Sequence, residues 1–188
     1  MYGGVGMRTT GLAGVALAVL LSATTGVAQE TTDNRVAAET DWSVFQETDP
    51  VECFGVSAPK QQVNTRDGAP VAVTRGETLL FIRFSPTESE YGVLSFTGGY
   101  PFAAASSIIM EVGTNVFQLT PGDLEEGEDP NWAWNLSADL DQQIILALKN
   151  GSQAILMGES ARGTSTRDTF SLIGFTASFE AAAAACGQ

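Results

Sequence analysis

The chain has 188 residues, 44% of them hydrophobic, with 22 acidic against 9 basic side chains and a formal charge of −13. That length suits one domain, or one domain behind a targeting segment, and that charge disfavours duplex nucleic acid and anionic membrane as partners. Histidine is absent, which excludes Ser-His-Asp and Cys-His nucleophile systems and any imidazole-ligated zinc site.

The first residues predict a signal peptide over 1–28. Arg8 supplies a lone positive charge, "GLAGVALAVLL" (Gly11–Leu21) a short apolar core, and "GVA" (Gly26–Ala28) the small residues of a cleavage site after Ala28. The apolar run is shorter than the roughly 20 residues that cross a bilayer. No cysteine follows it closely, so no lipid anchor is indicated. An exported chain without a transmembrane span is expected, one unit more acidic once Arg8 is removed. Residues 29–40, "QETTDNRVAAET", have Val36 as their only large apolar residue and read as a flexible leader to a domain over 41–188.

From Trp42 onward, short apolar runs alternate with Gly, Pro and Asn, the pattern of an all-β domain. "WSVF" is the first predicted strand. "PVAVT" and "TLLFIRF" follow, joined through "RGE" (Arg75–Glu77), which reads as a hairpin turn. In the second of these, Leu80, Ile82 and Phe84 share a face that points into a core, and Arg83 lies on the other. "YGVLSF", "SIIMEV", "VFQLT", "QAILMG" and "TFSLIGF" complete the set. Phe117 and Leu119 alternate with Gln118 and Thr120, and Phe170 and Leu172 face inward in the last run. About eight short strands with little between them indicate a two-sheet β-sandwich.

Two segments carry helical spacing. "SADLDQQIILALKNG" sets Leu140, Ile144, Ala147 and Leu148 on one face, with Asp139 and Asp141 near its start, Lys149 at its end and Gly151 just beyond. In "FTASFEAAAAACGQ", Phe175, Phe179, Ala182 and Cys186 form an inward stripe. In an oxidising compartment Cys53 and Cys186 are most simply one disulfide, the alternative being two buried thiols. Closing so long a loop stabilises a fold by about 5 kcal/mol in the chain-entropy model.

Candidate sites are few. "DLEEGED" (Asp123–Asp129) lacks the alternating spacing of a calcium loop and reads as a solvated acidic loop; no metal site is predicted. Trp132 and Trp134 fall on one side of an extended segment, where they either stack a ligand or fill the end of a sandwich, and core packing is the favoured reading. "FTGGYPF" (Phe96–Phe102) reads as a glycine-permitted tight turn. Thr-Arg-Asp occurs twice, at Thr65–Asp67 and Thr166–Asp168. Each copy is more simply an ion pair or a turn than half of a catalytic carboxylate pair. Without histidine a hydroxyl nucleophile needs a lysine base, and only Lys60 and Lys149 exist.

"VSAPK" (Val56–Lys60), "NTRDG" (Asn64–Gly68), "FTGGYPF", "ARGTSTRDTFSLIGFTAS" and the closing Cys186 together resemble the invasion-associated locus B family of alphaproteobacterial envelope proteins. The resemblance runs from about Trp42 to Cys186. It implies an exported, periplasmic or surface-associated β-sandwich of immunoglobulin-like type, with no known cofactor and no established catalytic residues. In pathogenic relatives it implies an association with host-cell invasion.

The expected function is therefore a non-enzymatic envelope module that binds an envelope component or another protein. Loops on a rigid sandwich are where binding residues gather, which nominates Arg66, Asp67, Tyr100, Trp132, Arg162, Thr164, Arg167 and Asp168. The alternative is a carboxylate-dependent glycan hydrolase using Asp67 or Asp168, which requires the two carboxylates to share a cleft within about 10 Å.

Overall fold

The computed structural model describes residues 34–188. The expected signal peptide and residues 29–33 of the expected leader lie outside the described residues. Among the described residues twelve strands form one antiparallel sheet. The first six are β1 (Arg35–Glu39), β2 (Trp42–Thr48), β3 (Val51–Ser57), β4 (Gln61–Arg66), β5 (Ala69–Pro70) and β6 (Leu79–Ser85). The rest are β7 (Glu90–Thr97), β8 (Ile108–Val112), β9 (Asn115–Pro121), β10 (Trp132–Trp134), β11 (Gln153–Glu159) and β12 (Ser165–Ser171). Two α-helices, α1 (Ala138–Asn150) and α2 (Phe175–Ala185), interrupt and follow the strands.

The spatial order is β1-β2-β3-β6-β7-β10-β9-β8-β11-β12-β4-β5. The expected all-β, sandwich-like architecture is what the chain adopts, with one difference from two separate sheets. The short strand β10 hydrogen-bonds to β7 on one side and β9 on the other, so the two halves are one sheet folded over. Their inner faces meet in a common core. Phe96 on β7 touches Phe170 on β12 edge-to-face, with ring centroids 6.1 Å apart. Leu80, Ile82 and Phe84 are fully buried, as their period-2 spacing predicts, and so are Leu119, Met110 and Leu156 from the other half.

Both helices form where the spacing places them. Helix α1 buries Ile144 and Leu148 completely and lies on β7. Helix α2 covers β1, β2 and β3, with Phe175 against Trp42 at 5.1 Å and Phe179 against Phe84 at 5.0 Å. Cys186 is bonded to Cys53 of β3, so the expected disulfide fastens the end of α2 to the sheet. No helix of the described residues is long and apolar enough to cross a membrane.

Three local expectations are corrected. Residues 35–39, expected within the leader, make β1, because an edge strand pairs through its backbone and can carry a polar sequence. The strand expected in "PVAVT" is reduced to Ala69–Pro70, and Arg75–Glu77 makes no hairpin. The tight turn instead lies at Asp67-Gly68, where φ is +52° and +76°, between paired Arg66 and Ala69. Residues 71–78 then cross from the second half of the sheet to the first, because β6 must sit between β3 and β7 to bury its apolar face. The last strand lies four residues earlier than "TFSLIGF", at Ser165–Ser171. Leu172 and Ile173 lead to Gly174, whose φ of +93° starts α2.

Candidate functional site

The crossing segment 71–78 carries Arg75, and around Arg75 both halves of the sheet contribute polar groups. Its Nη1 and Nη2 donate to Asp168 Oδ1 and Oδ2 at 2.8 and 2.6 Å, a bidentate pair. Nε and Nη2 donate to the Gly98 carbonyl at 2.9 and 2.7 Å, and Nη1 also reaches Asn64 Oδ1 at 3.3 Å. The side chains of Arg75 and Asp168 are 8% and 0% exposed. A guanidinium fork matched to a carboxylate and a carbonyl is the geometry that makes such burial tolerable. Gly76 and Gly99 let the crossing segment approach: Gly76 N–H donates to the Gly99 carbonyl at 2.8 Å, and a Cβ on Gly99 would lie 2.5 Å from the Gly76 oxygen.

Above this pair opens a cleft of about 540 Å³. Its walls come from β4 (Asn64, Arg66), the crossing segment, the Gly99–Pro101 turn and the β11–β12 connection (Ser160, Arg162, Thr164). Arg66 donates to Thr164 Oγ1 at 2.7 Å. Tyr100 stacks under the Arg75 guanidinium, 5.0 Å from ring centroid to Cζ, and its hydroxyl meets Thr166 Oγ1. Burial pushes the Tyr100 phenol up to about 12, so it keeps its proton and remains a hydrogen-bond donor. Arg66 and Arg162 have no carboxylate within ion-pair distance among the described residues.

Four of the eight nominated residues therefore meet here: Arg66, Tyr100, Arg162 and Thr164. Asp168 lies wholly buried beneath, with both oxygens on Arg75, and is a support rather than a contact residue. Arg167, next along β12, points to the opposite face, towards Glu111 at 3.8 Å. Asp67 sits exposed in the β4–β5 turn. Neither Asp67 nor Asp168 lines the cleft. The two Thr-Arg-Asp copies are neighbours in the sheet all the same, with Ser165 opposite Thr65 and Thr166 opposite Asn64.

Among solved structures the chain is similar to invasion associated protein B from Bartonella henselae. The TM-score is 0.51 at 14% identity, covering 81% of this chain and 98% of that one. No family model matches the chain, and no curated protein matches it. The likeness is one of fold.

Trp132 lies elsewhere, and the expectation that it and Trp134 fill the core is corrected. Ala133 between them is fully buried, so alternation puts both indoles on the outer face of the sheet, half-buried. There Phe45, Phe54, Phe81 and Trp132 form a ladder of rings with centroids 5.5, 5.8 and 5.2 Å apart. A groove of about 490 Å³ runs between Phe81 and the tryptophans, with Ser95 among its lining residues. Arg83 crosses this face among Glu52, Glu88 and Glu90. The acidic loop 123–129 is exposed, as read from its composition, and closes on a single 3-10 turn capped by Asp123.

The residues that sequence reasoning missed are Arg75, Asn64, Ser160 and Thr166. Arg75 and Asp168 are 93 positions apart, and no periodicity links positions at that range. The one signal was local: Arg75 precedes Gly76, and the turn against which that segment packs is itself a glycine pair, Gly98-Gly99.

Proposed function

We propose that the chain is an exported, non-enzymatic binding module of the bacterial cell envelope, and that the cleft lined by Arg66, Tyr100, Arg162 and Thr164 is its recognition site. One observation carries this reading. Beneath the cleft a buried Arg75–Asp168 pair has its hydrogen-bonding groups turned inward, leaving a polar floor and the exposed guanidinium groups of Arg66 and Arg162 at the mouth. Asp168, the carboxylate beneath the cleft, has both oxygens engaged and no exposure, which favours holding a ligand over acid–base chemistry. The disulfide supports an oxidising compartment. The fold shared with invasion associated protein B supports an envelope location.

The test is in-cell photocrosslinking. A photoreactive residue at Ala161, exposed on the rim, is expected to capture a reproducible partner that the same residue at Glu125, in the acidic loop, does not. No reproducible partner at Ala161, or the same partners from both positions, overturns the proposal.

A further inference from the structure

The charge distribution around the cleft is opposite to that of the molecule. The chain has 22 acidic side chains and 9 basic ones. Yet three arginines, Arg66, Arg75 and Arg162, line this one cleft, and none of its lining residues is acidic. Arg75 is consumed by Asp168 and the Gly98 carbonyl. Arg66 uses one N–H on Thr164 Oγ1. Arg162 makes no side-chain hydrogen bond or ion pair among the described residues. Two guanidinium groups thus face one space with most of their donors unspent. Ser160 adds another donor, since its Oγ accepts the Thr164 N–H at 3.1 Å and keeps its own proton.

We infer that the cleft takes a small ligand bearing an oxyanion, a carboxylate or phosphate gripped by Arg66 and Arg162, with its uncharged body against Tyr100 and Pro101. Guanidinium forks suit both oxyanions, and about 540 Å³ lies within the range of small-ligand pockets, roughly 300–1,000 Å³. The rest of the molecule repels anions. Recognition therefore comes from short-range geometry and not from long-range steering, and the on-rate rises as salt screens the global charge. The inference rests on the binding-module proposal and names the chemistry of that same site.

The test is a titration of the folded chain followed by the arginine Nε–H and backbone amide signals in NMR. The probes are N-acetyl-dialanine with a free carboxylate, its C-terminal amide, and inorganic phosphate. Saturable shifts at Arg66 and Arg162 are expected with at least one anion and not with the amide. The anion that saturates identifies a carboxylate or a phosphate source. Arg162→Gln is expected to weaken that binding about tenfold or more, the loss of one charge-assisted contact. The double variant with Arg66→Gln is expected to abolish it, with an unchanged thermal midpoint. Equal shifts with the amide, or no saturable shift with either anion, overturn the inference. If the Ala161 crosslink survives in the double variant, the binding module stands and the oxyanion is rejected. If the parent chain gives no crosslink while anions still saturate, the module fails and the anion site stands.

Discussion

At the scale of single residues the fold depends on one buried charge pair more than on any surface ion pair. The exposed bridge Lys60–Asp41, at 2.6 Å, belongs to the class worth under about 1 kcal/mol. Arg75–Asp168 is different, because neither partner can retreat to water. Asp168→Ala leaves a guanidinium buried without its counter-charge, and a loss of about 3–5 kcal/mol in urea unfolding is expected. Replacing both partners by apolar residues is expected to recover much of it. A loss for Asp168→Ala no larger than for an exposed Asp67→Ala control contradicts the keystone role. None of this was legible in the sequence. Asp168 occupies an inward position of β12, and so do Thr166 and Phe170. Polar residues at two of three inward sites hide the strand from any reading based on hydrophobic alternation, which is why only the Phe170 end was recognised.

At the scale of elements the strongly patterned ones were legible and the polar ones were not. Strands β6 and β9 and both helices announce themselves by apolar spacing. Strands β1 and β4 are edge or near-edge elements whose partners supply backbone hydrogen bonds, so composition says little about them. The contact between α2 and β3 is closer still to the limit of what packing allows. A Cβ on Gly55 would stand 2.3 Å from Ser178 Oγ, and that hydroxyl, fully buried, has no hydrogen-bond partner among the described residues. Gly55→Ala is expected to destabilise by about 1–3 kcal/mol through overpacking. Ser178→Ala is expected to be neutral or mildly stabilising, since it removes an unsatisfied polar atom. In the double variant most of the Gly55→Ala cost is expected to vanish, a coupling that a thermodynamic cycle measures directly. Additive effects contradict the close approach.

At the scale of the whole molecule, acidity sets the pH response. Burial pushes the carboxyls of Asp141 and Glu90 up, so the folded chain holds their protons more readily than the unfolded chain. Stability from that protonation is full below the ordinary values of 3.8 and 4.5, and is lost as pH rises through the raised ones. Asp41 has the opposite sign. Its hydrogen bond from Lys60 holds it low, so its contribution is present above 3.8 and disappears as pH falls through the lowered value. The thermal midpoint is therefore expected to rise from neutral pH into the upper carboxylate range. Asp141→Asn, which keeps an acceptor for Asn135, is expected to flatten that rise. A midpoint that falls steadily on acidification from pH 7 contradicts it.

The folded-over topology also sets when the molecule can fold. Strand β4 has its long ladder with β12, the Trp42 indole donates to the Ser171 carbonyl, and Cys53 awaits Cys186. Until residues 165–186 exist, the first third of the sheet has no cover and no seam to close. Contacts of such sequence separation form slowly. Closure of the first third of the sheet therefore waits until residues 165–186 have been synthesised, however early its local hairpins pair.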